Sequence, residues 1–160
     1  MTTIAFRDKV LAADSCETTS SDEGGASVGA CEKLFRVRTG GKRREVVIAT
    51  AGGSDLGMVF VDWFKRTGGA GAGDPPVILR DAHLDEVFEV LVWDRGRLYT
   101  ANHLCRLREV VMPYGFTAIG CGRKTALGAL MMGASAHRAV QIACAFDPYT
   151  RPPVRTMRVR

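Results

Sequence analysis

Residues 2–15 read TTIAFRDKVLAADS, and this stretch decides the fold. Thr2, Ile4 and Phe6 alternate with Thr3, Ala5 and Arg7, the period-two pattern of a strand. Asp8-Lys9 supplies a tight turn, and Val10-Leu11-Ala12-Ala13 forms a second apolar run that ends at Asp14. Two short strands about a tight turn predict a β-hairpin.

Working outward, residues 15–27 are rich in Ser, Thr, Gly, Asp and Glu and predict an exposed loop. A strand segment follows from Val28 to Val37 and holds Lys33-Leu34-Phe35-Arg36-Val37. Gly40 to Arg44 is a turn, and Val46 to Ala51 is a buried strand running into Gly52-Gly53. Leu56, Val59, Phe60, Trp63 and Phe64 then fall at helical spacing, with Ser54 or Asp55 as cap and Gly68 as stop. The stripe reads as core. Gly68 to Pro76 reads as a connector, since a phosphate loop needs a strand before it and a helix after it.

Beyond it, Val77-Ile78-Leu79 predicts a short strand. Val87 to Trp93 and Arg97 to Ala101 predict a hairpin about Asp94-Arg95-Gly96. Residues 102–112 give no clear pattern, and Gly115 to Gly120 reads as a buried strand. Lys124 to Met132 predicts a helix stopped near Gly133. A second is capped by Ser135, turns Ala139, Ile142, Ala143 and Phe146 inward, and ends at Asp147-Pro148. Val154 to Val159 predicts a final edge strand. This order gives an α+β protein with helices segregated to the faces of antiparallel sheets.

The 160 residues suit one domain, here 2–160 once Met1 is removed. No apolar run reaches the ~20 residues of a membrane span, and the N-terminus lacks a secretory pattern. The expectation is a cytoplasmic protein with no membrane partner. Five cysteines without a CxxC pair, and His83, His103 and His137 without ligand spacing, argue against a disulfide scaffold or a zinc site. The net charge of +5 gathers in Lys42, Arg43 and Arg44 and in Arg151, Arg155, Arg158 and Arg160. Without aromatic interleaving or a reader motif these read as a solvated turn and tail, and no nucleic-acid partner is expected.

Met1 precedes a small residue and is the kind of initiator that methionine aminopeptidase excises. Thr2 would then carry a free α-amine with a pKa near ~7.7, able to act as base for its own hydroxyl. Four further elements occur in order: LAADS at 11–15, EKLFRV at 32–37, ATAGG at 49–53 and AIGCG at 118–122. The chain closes on ALGAL, GxSAxxAVxIA and DxYTxxPV patterns. With these motifs the chain resembles proteasome β subunits and the HslV-type threonine peptidases over most of its length, and compact bacterial or phage-like members above all.

The resemblance implies a four-layer α-β-β-α sandwich of the N-terminal-nucleophile hydrolase type, with a reduced second helix. It implies Thr2 as nucleophile and base, Asp14 as the acid that positions Lys33, and the Gly52 N–H as oxyanion donor. Asp147 and Thr150 would support the nucleophile. Cys121 stands where the family has a serine near the threonine amine, and a thiol is the weaker hydrogen-bond partner. Thr50, Ala51 and Gly53 would meet substrate. Backbone carbonyls of Cys144, Asp147 and Thr150 would hold a structural Na+ or Mg2+, with no cofactor required for chemistry. Implied partners are peptide or unfolded-protein substrate, further copies of the chain in a ring, and an ATPase unfoldase. Rival readings on the same fold are a small-molecule amidase or acylase and an inactive structural or assembly subunit.

Overall fold

The computed structural model describes residues 2–20, 26–39, 44–69, 74–80, 88–101 and 104–160. The expected hairpin opens the chain: β1 (Thr3–Arg7) pairs antiparallel with β2 (Val10–Ala13). Asp8 and Lys9 both take positive φ to make the turn. Residues 15–27 are not simply a loop, because β3 (Cys16–Ser20) and β4 (Ala26–Ala30) pair as a second hairpin. Composition hid it, since Ser, Thr and Gly signal turns more strongly than strands.

β5 (Leu34–Thr39), β6 (Arg44–Gly52), β7 (Phe88–Asp94), β8 (Arg97–Ala101) and β9 (Leu107–Glu109) form a five-stranded sheet in chain order. The expected turn about Asp94-Arg95-Gly96 joins β7 to β8, and β9 lies in the stretch that gave no pattern. A four-stranded sheet takes the order β10-β1-β2-β11, with β10 spanning Phe116–Gly120 and β11 spanning Arg155–Arg158. The last strand is an edge, as expected.

Helix α1 (Ser54–Thr67) follows β6. Gly53 rather than Ser54 or Asp55 is its N-cap residue, without a side-chain cap bond. Gly68 ends it in the left-handed conformation, at φ 73°. Val77–Arg80 is one helical turn, α2, not a strand. An apolar triplet has no periodicity to separate the two, and Leu79 is drawn into the cluster under α1. Helix α3 spans Arg123–Met131, and α4 spans Ala136–Phe146 with the Ser135 hydroxyl accepting the Arg138 N–H.

Strand alternation distributes the core. Ile4, Phe6, Leu11, Ala13, Val47, Ala49, Leu91 and Trp93 meet between the two larger sheets. Val46, Ile48, Val90 and Val92 face Phe60, Trp63 and Phe64 of α1. Ala5 and Ala12 face Ala126, Leu130, Ala139 and Ala143 of α3 and α4. The small residues on that last face let helices approach closely, while the larger clusters supply most of the burial, at about 1.5–3 kcal/mol per large side chain. Phe146, expected inward, is 77% exposed, because α4 has run past the sheet by its last residue.

Arg44 is not part of a solvated turn: its guanidinium pairs with the buried carboxylate of Asp94. Arg151, Arg155, Arg158 and Arg160 are exposed, as expected of the tail. Met1, the Gly40–Arg43 part of the turn, residues 70–73 of the connector, His83 and His103 lie outside the described residues. No described helix is long and apolar enough to cross a membrane.

Candidate active site

Chain ends and turns of both larger sheets converge at the start of β1. Asp14 follows β2, Lys33 precedes β5, Gly120 to Gly122 link β10 to α3, and Asp147 to Thr150 follow α4. Asp14 is 1% exposed and Lys33 5%. The Lys33 ammonium lies 3.1 and 3.2 Å from the two Asp14 carboxylate oxygens and donates to the Cys16 carbonyl at 2.6 Å. Asp14 also accepts the N–H groups of Thr3 at 2.8 Å, Cys16 at 2.9 Å and Arg151 at 3.4 Å. A buried ion pair holds only when its remaining donors and acceptors are satisfied, and this one meets that condition on the carboxylate side. Its burial excludes a surface position for Lys33.

The pair fixes backbone, not only side chains. Through the Thr3 amide, Asp14 clamps the residue that follows Thr2. Thr2 is itself 2% exposed, and its carbonyl accepts the Cys121 N–H at 2.8 Å and the Cys121 thiol at 3.3 Å. Alternation places the Thr2 side chain on the face of Ile4 and Phe6, toward the other sheet, and Thr3 on the face of Ala5, toward the helices.

Thr3 was absent from the sequence-derived set, and the structure ties it in most tightly. Gly122 N–H donates to its hydroxyl oxygen at 3.1 Å. The Thr3 and Thr150 hydroxyls lie 2.6 Å apart, and Thr150 donates to Asp147 at 2.5 Å. With Thr150 committed to the carboxylate, Thr3 is the donor to Thr150, so the chain of bonds runs from Gly122 to Asp147 in one direction. Thr150 thus engages Thr3 directly and Asp147 engages it through Thr150, while Cys121, 3.9 Å from Thr150, links them to the Thr2 carbonyl. The doubled threonine at 2–3 was the only signal for this role.

The two glycines of the turn are required by contact. Gly120 sits at φ 88°, and a Cβ there would lie 1.9 Å from the Thr2 carbonyl oxygen. A Cβ on Gly122 would lie 2.2 Å from the Thr3 hydroxyl. At Gly120 backbone therefore packs directly on backbone, and at Gly122 backbone packs on the bonded side chains of Thr3, Asp147 and Thr150, which leaves room only for glycine.

Gly52 ends β6 at φ 106° and is partly exposed, and contacts of β1 and β10 with β6 bring that strand toward the site. The three residues expected to meet substrate do not share a face. Ala51 lies in the inter-sheet cluster, Thr50 faces α1 beneath Gly57, and Gly53 is exposed at the helix start.

Burial raises the Cys121 thiol pKa, and the neighbouring Asp147 carboxylate raises it further. The thiol is therefore kept neutral, a poor nucleophile. Burial also raises Asp147, but hydrogen bonds from Thr150, Cys121 and the Tyr149 N–H outweigh it and hold the carboxyl below its usual range. Cys144, Asp147 and Thr150 line one cleft of about 310 Å³ together with Arg151. Burial pushes the Cys144 thiol up to about 11. The oxygens of Asp147 and Thr150 in this cleft would suit a hard cation rather than zinc. Among the described residues no cluster of His, Cys, Asp and Glu could hold a metal ion.

No family model and no curated protein matches the chain. Solved structures do. BPH from Thiobacillus denitrificans, solved in complex with epoxomicin, is 18% identical with a TM-score of 0.62, over 99% of this chain and 97% of that one. Eukaryotic HslV from Trypanosoma brucei is 16% identical with a TM-score of 0.64, over 98% and 99%. Anbu from Hyphomicrobium sp. strain MC1 is 16% identical with a TM-score of 0.70, over 100% of this chain and 82% of that one. The chain is a mixed α+β protein that shares its fold with BPH, HslV and Anbu.

Proposed function

We propose that this chain is a proteasome-like threonine peptidase acting on peptides or unfolded protein. The observation that carries the reading is the buried Lys33–Asp14 pair, whose carboxylate clamps the amide of Thr3 and so fixes the residue beside it. With Met1 removed, the Thr2 amine takes the proton from the Thr2 hydroxyl as its oxygen attacks the substrate carbonyl carbon. Lys33 favours the unprotonated amine and stabilises developing negative charge nearby. The Gly52 N–H meets the oxyanion, a contribution of roughly 10²–10³ in rate for such a donor. The amine then passes its proton to the departing nitrogen as the C–N bond breaks, leaving an ester on Thr2. Water cleaves that ester by the same proton path in reverse.

The wider reading is a single domain over residues 2–160 layered α-β-β-α. It works in the cytoplasm as a self-assembled oligomer, with an ATPase unfoldase as a candidate partner. Self-assembly draws support from the helical assembly of the Anbu complex from Pseudomonas aeruginosa, 16% identical. A Na+ or Mg2+ held by carbonyls of Cys144, Asp147 and Thr150 would stiffen the turn behind Thr3 and take no part in the chemistry.

Epoxomicin, the ligand in the BPH structure, is the natural probe. Intact-mass analysis of protein whose N-terminus has been verified as Thr2 should give one covalent adduct. Thr2→Ala should give none, and Lys33→Ala should slow adduct formation at least 100-fold. Adduct that persists in Thr2→Ala sinks the proposal.

A further inference from the structure

We propose that Glu89 is a positioning residue for this site, holding the Gly120–Gly122 turn, and through it Thr2, in place against the end of β6. The inference rests on the threonine-peptidase reading for its kinetic part only.

Glu89 breaks the pattern of its strand. On β7 the inward positions that follow it are Leu91 and Trp93, both in the cluster between the sheets. A glutamate two residues before Leu91 points into the same space. Acidic residues on a half-buried inward face cost desolvation unless bonded, and such breaches of local pattern concentrate at functional sites. Glu89 is bonded at both oxygens. Oε2 accepts the Gly120 N–H at 2.7 Å, and Oε1 accepts Arg123 Nη1 at 2.9 Å.

The Gly120 N–H needs such an acceptor. β10 is an edge strand with β1 as its one neighbour. Cys121 donates to the Thr2 carbonyl across that ladder, so the N–H of the preceding residue points away from β1. On that side no described strand is present to accept it. Across β7, Glu89 is registered opposite Ala51, one position from the Gly52–Phe88 pair. One carboxylate therefore ties β7, at the position registered beside the end of β6, to the last residue of β10 and the first residue of α3. The turn in question packs its own backbone on the Thr2 carbonyl at Gly120, so any shift of the turn is passed to Thr2.

The test compares Glu89→Ala, Glu89→Gln and, as control, Glu109→Ala, whose carboxylate pairs with Arg97. Epoxomicin adduct formation is followed with time and probe concentration, and exchange of the Gly120 amide by NMR. Glu89→Ala should slow the maximal rate of adduct formation about 10- to 100-fold, the scale of a small misplacement of reacting groups. The half-saturating probe concentration should stay within about twofold, since the probe's own contacts are untouched. Glu89→Gln keeps an oxygen for Gly120 and should recover most of the rate, while Glu109→Ala should match the wild type. Gly120 exchange should quicken in the alanine variant and not in the glutamine variant. A wild-type rate of adduct formation in Glu89→Ala, or a glutamine variant no better than alanine, overturns the proposal. If the wild type itself forms no adduct, the peptidase reading fails. The exchange data still decide whether Glu89 holds the turn, and unchanged Gly120 protection in Glu89→Ala rules that out.

Discussion

The two ends of the first strand are built by opposite rules. At the Thr3 end, hydroxyls, amides, a carboxylate and an ammonium are bonded in series, and no buried side-chain N or O among the described residues lacks a partner. At the Phe6 end, Phe6 stacks on Trp93 across the sheets with ring centroids 5.3 Å apart. Beyond the stack lies an open cleft of about 310 Å³ rimmed by Asp8, Lys9, Arg97 and Glu109. Apolar contact is non-directional and scales with area, so the Phe6 end stabilises without specifying atoms to a fraction of an ångström. Hydrogen bonds specify position but add little net stability, and they are costly when one partner is lost. Stability and positioning are therefore supplied at different ends of the same strand.

Three measurements would break or sharpen that contrast, beginning with the largest expected effect. Lys33→Met leaves the Asp14 carboxylate buried without its counter-charge and should cost about 3–5 kcal/mol in urea unfolding, together with nearly all Thr2 acylation. A loss below about 1 kcal/mol would mean that the amide donors alone carry the charge, on the mutational scale for single hydrogen bonds. Phe6→Ala should cost about 3 kcal/mol by cavity formation and loss of the stack. The acylation rate of its folded fraction should nevertheless match the wild type. A rate that falls in step with stability would erase the division between the ends. The smallest effect concerns pH. Asp147 is held below the ordinary 3.8 although burial pushes it upward. A depressed folded value stabilises above the unfolded pKa, and that contribution is lost as pH falls through the folded one. The stability difference between wild type and Asp147→Asn should be flat above about pH 5 and shrink below about pH 4. A difference that stays constant down to about pH 2 would contradict the bonding assigned to Asp147.

Periodicity carried most of the fold. Helices α1 and α4 were legible because each buries a stripe at a fixed repeat, the opening hairpin from the alternation of Thr2, Ile4 and Phe6, and the Asp94–Gly96 turn and the Ser135 cap from residue type. The β3–β4 hairpin was not, since its residues carry turn chemistry. Val77-Ile78-Leu79 failed for lack of length, and Phe146 because helical spacing does not say where the sheet beneath a helix ends. The expected pairing of Asp14 with Lys33, which the structure shows, rested on motif order alone. Neither the alternation around Lys33 nor its charge announces burial. Thr3 was half visible as the second of two threonines. Glu89 was invisible, because an acidic residue in a strand reads as outward-facing, and only the register of β7 against β6 reveals where it reaches.

The amide bond between Asp14 and Thr3 has a consequence for how the N-terminus tolerates change. That bond is made by main chain, so it measures distance along the peptide and is blind to side-chain identity. Adding or deleting a single residue before Ile4 would leave every strand intact yet rotate the leading residue to the helical side of its sheet. On the proposed threonine-peptidase reading, a length variant there would keep the β1–β2 pairing and misplace the attacking group.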